Sequence, residues 1–211
     1  MDKLTPLIET LRNYINDKKE KYLMVKNTFM QLDLESIRDI YNNIVEENPS
    51  IIGKQMNILQ TEQLFNKFFL LGESGSGKTT ALKYLCYRKL QALSNKDFIH
   101  DSDKVPIFIE LSMFDTIHRK FWIIESIKNE FHPYIKDSHN TVLYLLERGA
   151  FLLIFDGLNE VPKRFIRKAI KEIKELLIKY PKNKFIISSR TLEYSEYFNL
   201  KNMIIKKTKI V

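Results

Sequence analysis

The stretch that decides the fold is "NKFFLLGESGSGKTT", Asn66–Thr80. Its second half matches the pattern G-x-x-x-x-G-K-[ST], with Gly72, Gly77, Lys78 and Thr79 at the fixed positions. Glycines let the backbone wrap so that successive N–H groups point at phosphate oxygens. The lysine then reaches the β- and γ-phosphates, and the hydroxyl group after it binds Mg²⁺. The pattern therefore predicts a phosphate-binding loop.

The segments on either side of the loop support this prediction. Asn66–Leu71 is short, apolar and rich in aromatic residues, which is typical of a buried strand. Behind the lysine, apolar residues recur at helical spacing, and these are Leu82, Leu85, Cys86 and Leu90. A strand, a glycine loop and a helix N-terminus, whose dipole favours anions, are what phosphate binding requires. The alternative, a Gly/Ser-rich surface turn, is disfavoured by these flanks.

Composition places the chain among globular proteins. Its 211 residues suffice for one domain with an appendage, and 44% of them are hydrophobic and 28% charged. No apolar run is long enough to span a membrane, and the N-terminus lacks the apolar core of a signal peptide. The single cysteine, Cys86, excludes an internal disulfide and fits a reducing cytoplasm. We therefore expect a cytoplasmic protein with no membrane partner.

The net charge of +8 and the pI of about 9.3 raise nucleic acid as a partner. Much of the excess lies in Pro162–Lys184, where lysines and arginines face away from an apolar helical stripe. That stripe comprises Ile166, Ala169, Ile170, Ile173, Leu177 and Tyr180. We favour a solvated helix face that covers a sheet, with nucleic-acid contact as the alternative. The four histidines show no metal-ligand spacing.

The apolar pattern changes its character at about residue 50. Residues 1–50 are expected to form a small helical segment, whereas residues 51–211 alternate strand and helix. Such alternation predicts a mostly parallel sheet with helices on both faces, a three-layer α/β/α fold. The N-terminal stripes are Leu4, Leu7, Ile8, Leu11 and Ile15, then Leu34, Ile37, Ile40, Tyr41 and Ile44. Tyr22–Gln31 fits either a strand or a helix.

The alternating region predicts four strands and four helices. The strands are Lys67–Leu71, Val105–Leu111, Phe151–Phe155 and Lys184–Ser188. The helices are Lys78–Leu93, His118–Phe131, Thr141–Arg148 and Lys163–Tyr180. The run "NMIIKKTKI", Asn202–Ile210, is a candidate fifth strand.

A second motif, "FLLIFDGLNEVP", places Asp156 at the carboxyl end of a buried strand, where such sheets bind ligands. A carboxylate there holds Mg²⁺, usually through water, opposite the hydroxyl group of Thr79. The next residue is Gly157, and the next acid is Glu160, which fits either a water-activating base or a helix N-terminal acid. "FIISSR" ends on Arg190, either a cation for the γ-phosphate or an exposed surface residue.

At these motifs the chain resembles the NACHT family of signal-transduction NTPases, within the wider STAND group of nucleotide-switched proteins. The resemblance covers about residues 51–191 and rests on "GESGSGKTT", "VPIFIEL", "LLERGAFLLIFDGLNEVP" and "KFIISSR". It implies a P-loop NTPase core that binds ATP or GTP with Mg²⁺ and hydrolyses it slowly, as a switch in defence or stress signalling. It also implies self-association of the intact protein through lid and sensor parts, which we expect this chain to lack.

The family's roles transfer to individual residues of this chain. For nucleotide binding they are Gly72, Glu73, Ser74, Gly75, Ser76, Gly77, Lys78, Thr79 and Thr80, with Ile52 and Gly53 of "IIGK" beside the adenine. Thr79 and Asp156 would hold the metal. Glu160 would position or deprotonate water, and Arg190 would contact the γ-phosphate. Asp156, Glu160 and Arg190 are therefore the candidate catalytic residues.

One departure from the family pattern concerns hydrolysis. Asn159 stands where family members usually carry a second aspartate, and an amide can orient water but cannot take its proton. This residue permits an alternative function, a nucleotide-binding scaffold that does not hydrolyse. The basic helix permits another, a DNA-associated ATPase of the loader type.

Overall fold

The fold is built on one six-stranded sheet. The structure is a computed structural model, and it describes residues 4–31, 44–46, 58–64, 66–72, 74–100, 102–114, 121–135, 137–190 and 206–210. The strands are β1 (Ile44–Glu46), β2 (Lys67–Leu71), β3 (Val105–Glu110), β4 (Phe151–Asp156), β5 (Lys184–Ser189) and β6 (Lys206–Ile210). They lie in the order β1-β6-β2-β5-β4-β3. Every pair of neighbours is parallel except β1 and β6, so the predicted mostly parallel sheet is confirmed.

Helices flank this sheet on both faces, which confirms the three-layer α/β/α fold. They are α1 (Leu4–Gln31), α2 (Ile58–Leu64), α3 (Lys78–Ser94), α4 (Trp122–Phe131), α5 (Ser138–Arg148) and α6 (Ile166–Lys179). Single turns of 3₁₀ helix follow β3 at Leu111–Met113 and β4 at Leu158–Glu160.

The central strands are apolar on both faces because helices cover both. Alternate residues point to opposite sides of a strand, so one buried run supplies two cores. On one side, Phe68, Leu70, Leu152, Ile154 and Ile186 pack with α2 and α3. On the other side, Phe69, Leu153, Phe155, Phe185 and Ile187 pack with α4, α5 and α6. These two layers hold the carboxyl ends of β2, β4 and β5 in fixed relative positions.

The N-terminal helix α1 packs into the larger core. Leu11, Tyr14 and Ile15 are buried there. The Tyr14 ring stacks on Phe131 with centroids 4.5 Å apart, and its hydroxyl group donates to the carbonyl oxygen of Pro106 at 3.1 Å. Burial raises the pKa of Tyr14 well above its usual value, which keeps the phenol protonated as a donor. A boundary at residue 50 stays a prediction.

Several predicted boundaries shift for local reasons. The helix predicted over His118–Phe131 begins at Trp122 in the described residues, because Phe121 adopts a left-handed conformation with φ of 59°. The helix predicted from Thr141 begins at Ser138, because Asp137 caps it by accepting from Asn140 N–H.

The other corrections are smaller. The helix predicted over Lys163–Tyr180 spans Ile166–Lys179. Leu111 opens a 3₁₀ turn instead of ending β3. Ile44, assigned to a helical stripe, lies in β1, where it pairs with Ile210. The rest of that stripe falls outside the described residues, whereas Tyr22–Gln31 is helical and Lys206–Ile210 forms the further strand.

No helix in the described parts of the chain is both long and apolar enough to cross a bilayer.

Candidate functional site

The loop between β2 and α3 depends on glycine at two positions. Gly75 and Gly77 have φ of 78° and 83°, in the left-handed region that side chains disfavour. Gly77 is the N-cap of α3, and its carbonyl oxygen accepts from Ala81 N–H at 2.9 Å. The first N–H groups of α3 therefore have no intrahelical partner, and the positive end of the helix dipole lies beside the loop. This arrangement favours an anion.

The Lys78 side chain lies folded over the same loop. Its ammonium group donates to the carbonyl oxygen of Gly72 at 2.5 Å and is 3.4 Å from the hydroxyl oxygen of Ser76. The residue is half-buried. A phosphate group would therefore meet a cation already positioned within the loop instead of one extended into solvent.

Asp156 is held by two hydroxyl groups from two different elements. Thr79 donates to its Oδ2 at 2.7 Å, and Ser188 donates to its Oδ1 at 2.5 Å. Only 8% of Asp156 is exposed, and Ser188 is fully buried. Two short hydrogen bonds to a buried carboxylate fix its orientation. The loop helix α3, strand β4 and strand β5 thus meet at one carboxyl group.

The turn after Asp156 brings Glu160 back toward the strand end. Gly157 has φ of 76°, and its N–H group donates to the hydroxyl oxygen of Ser188 at 2.7 Å. A Cβ atom on Gly157 would lie 2.9 Å from Cδ and Oε2 of Glu160, so a side chain there would displace the carboxylate. Glu160 itself is exposed. The glycine therefore permits a solvent-facing acid beside the buried Asp156.

These elements surround one open cavity of about 250 Å³. It is lined by Ser74, Gly75, Ser76, Gly77, Lys78, Thr79, Thr80, Asp156, Gly157, Asn159, Glu160, Ser188 and Arg190. The structure thus brings together most of the residues proposed from sequence, including the exposed Arg190 after β5. Gly72 lies just behind, in contact with Lys78 through its carbonyl oxygen. Glu73, Ile52 and Gly53 lie outside the described residues.

The residues present fit a magnesium nucleotide. Mg²⁺ prefers oxygen ligands, and the Thr79 hydroxyl and Asp156 carboxylate stand 2.7 Å apart at the cavity wall. Phosphate groups carry several negative charges, and the cavity supplies Lys78, Arg190 and a helix N-terminus.

Two contributors were missed from the sequence. Ser188 holds Asp156 and the N–H group of Gly157 together, yet it occurs in "FIISSR" as one of two adjacent serines. The available signal was a hydroxyl side chain at the end of an otherwise apolar strand. The packing constraint on Gly157 had no sequence signal, because the folding back of Glu160 is visible only in three dimensions.

We expect Ser188→Ala to weaken the Mg²⁺ dependence of nucleotide binding about tenfold, the scale of one hydrogen bond to a charged group. The substitution removes one of the two donors that orient Asp156. Titration of nucleotide binding against Mg²⁺ measures the effect. Ser189→Ala is the matched control, since Ser189 is equally buried but points to the opposite side of β5. Equal responses from the two variants would contradict this role.

The parallel sheet, the phosphate loop that follows β2 and the acid at the end of β4 define a P-loop NTPase. A family model confirms and refines this assignment, because the NACHT domain model matches residues 66–208. The chain therefore belongs to the NACHT family of nucleotide-binding NTPases, as its sequence motifs predict. Comparison with curated proteins gives no match.

Proposed function

We propose that this chain binds ATP or GTP with Mg²⁺ and hydrolyses it slowly, as a nucleotide-controlled switch in defence or stress signalling. The observation that carries this proposal is the hydrogen bond between Thr79 and Asp156, which joins the loop helix to the acid-bearing strand. A metal held by Thr79 and Asp156 would contact both α3 and β4, so binding or loss of the metal would affect the positions of both elements. The signalling role itself rests on the family.

Nucleotide binding would use the residues that line the cavity. Lys78 would exchange its bond to the Gly72 carbonyl for one to a phosphate oxygen. Thr79 and Asp156 would hold Mg²⁺, which supplies charge neutralisation to the phosphates. Arg190 would contribute a second cation to the terminal phosphate. Ser188 would keep Asp156 oriented throughout.

Hydrolysis would require a group that positions the attacking water. Glu160 is exposed at the cavity wall and carries a carboxylate able to take a proton. Asn159 lies beside it, where its amide could orient water without accepting the proton. A single acid at this turn is consistent with slow turnover. The alternative is a scaffold that binds nucleotide without hydrolysis.

The test is turnover with and without Mg²⁺, together with the variant Glu160→Gln. We expect Glu160→Gln to reduce the turnover rate about 100-fold while nucleotide affinity stays within about threefold, because a base acts chiefly in the transition state. Glu147→Gln, an exposed acid on α5, serves as the control. Unchanged turnover in Glu160→Gln would remove Glu160 from catalysis. No Mg²⁺-dependent turnover in the parent chain would favour the scaffold.

The proposal also covers the protein's location in the cell and its self-association. We propose a cytoplasmic location, with which the single cysteine of the chain, Cys86, is compatible. Self-association of the intact protein is proposed from the family. Light scattering with and without nucleotide tests it directly.

A further inference from the structure

Most of the chain's net charge is concentrated on one helix and its flanks. Residues 163–182 contain eight lysines and arginines and two glutamates, a net charge of +6 out of +8 for the whole chain. We define the basic face by these eight cations: Lys163, Arg164, Arg167, Lys168, Lys171, Lys174, Lys179 and Lys182. Seven of them are exposed, and Lys174 is half-buried.

The two acids of this segment do little to neutralise the basic face. Glu172 is buried and directs its Oε2 at the N–H group of Ile123, 3.0 Å away, where it caps α4. Burial raises the pKa of Glu172. Glu175 is exposed and lies 3.9 Å from Lys171. One exposed acid against seven exposed cations leaves a concentrated positive field.

The apolar side of α6, opposite the basic face, is already buried against the core. Ala169, Ile170, Ile173, Leu176 and Leu177 are buried in the core. Ile178, 70% exposed, is the large hydrophobic residue that α6 presents to solvent. A helix that lies on a membrane inserts an apolar face between lipids, and a single exposed isoleucine is not such a face. The face therefore suits a partner recognised by charge alone.

The spacing of the cations suits a phosphate backbone. Arg167, Lys171 and Lys174 fall at i, i+4 and i+7, so they share one stripe of the helix. From Arg167 to Lys174 this stripe rises about 10 Å, at roughly 1.5 Å per residue. A nucleic-acid strand presents about three phosphates over that length, at roughly 3.4 Å each in duplex DNA.

We infer that the basic face of α6 binds the phosphate backbone of nucleic acid without reading its sequence. The two aromatic residues of the segment are not free to stack on bases. The Phe165 ring lies under the Arg164 guanidinium group, and Tyr180 is buried. Phosphate contacts without base contacts give affinity without sequence specificity. None of the eight cations lines the nucleotide cavity, so the two sites are separate.

The experiment measures binding of the full chain to a fluorescent 20-nucleotide single strand and to the matching duplex, by anisotropy from 50 to 200 mM KCl. The test variant is Arg167→Glu with Lys171→Glu. The control is Lys21→Glu with Arg88→Glu, which makes the same change in net charge at two exposed positions on α1 and α3. Phosphatidylserine vesicles provide a third ligand.

We expect the test variant to lose at least about tenfold in affinity at 100 mM KCl. Its slope of log K against log[salt] should fall by roughly 1.4 for the single strand, about 0.7 for each lost phosphate contact. The control should stay within about threefold of the parent chain. Lys78→Ala should bind nucleic acid as the parent does, so that failure of the nucleotide site would leave this inference standing.

Three results would overturn the inference. The first is a parent chain that does not bind either nucleic acid. The second is an equal loss in the test and control variants, which would mean diffuse charge instead of a site. The third is tighter binding to the vesicles than to nucleic acid, with the same sensitivity to the test variant, which would assign the basic face to a membrane surface.

Discussion

Lys78→Ala should lower nucleotide affinity about 30-fold or more while the fold stays intact. The residue supplies a cation to the phosphates, and charge-assisted hydrogen bonds contribute roughly 1.5–3 kcal/mol each. Lys78 is half-buried at the start of α3, and its ammonium group contacts the loop at Gly72 and Ser76. Titration with a fluorescent nucleotide, with circular dichroism for the fold, measures both quantities.

Lys83→Ala is the matched control for this variant. It removes the same charge from the same helix, but Lys83 pairs with Glu110 at 3.2 Å and does not line the nucleotide cavity. Its affinity should stay within about threefold of the parent chain. If Lys78→Ala binds nucleotide as tightly as Lys83→Ala, the loop does not hold phosphates as we propose.

Asp156→Asn should separate function from stability. The amide keeps the shape of the side chain and an oxygen that accepts from Ser188, but it removes a buried negative charge. Loss of that charge removes a desolvation cost but also weakens the hydrogen bonds from Thr79 and Ser188, so we expect thermal stability close to that of the parent chain. The increase in nucleotide affinity on adding Mg²⁺ should fall by roughly 10- to 100-fold, the scale for residues that orient a metal's surroundings.

Asp137→Asn is the control for Asp156→Asn. Asp137 is an exposed N-cap of α5, where asparagine caps about as well as aspartate. It should change neither the Mg²⁺ response nor the melting temperature appreciably. An unchanged Mg²⁺ response in Asp156→Asn would mean that the metal is held elsewhere.

Strands β2, β4 and β5 were predictable because they are buried on both faces. The runs "KFFLL", "FLLIF" and "KFIIS" are mostly apolar, and each lies within one residue of the observed strand. The phosphate loop was predictable because its glycines meet a fixed backbone requirement at Gly75 and Gly77. In both cases the structural requirement, burial of a strand or a left-handed backbone, is visible in the residues of the segment itself.

Elements that depend on tertiary contact were not predictable. Helix α2 has seven residues and places the buried Glu62 in an ion pair with Lys184, which lies in the distant strand β5. Nothing in the local pattern indicates that an acid there would be buried. The left-handed Phe121 is similar, because its conformation is set by how the chain enters α4. Ser188 belongs to the same class, since its role lies in hydrogen bonds to β4.

The position of β2 in the middle of the sheet has a consequence for folding. Lys67 lies opposite Phe185, and Phe68 lies opposite Lys206, so both partners of the loop strand are made more than about a hundred residues later. During synthesis the apolar "FFLL" segment of β2 would therefore leave the ribosome long before β5 or β6 has emerged. The binding cavity, although its loop is an early and local motif, should be among the last features to assemble as the chain is synthesised.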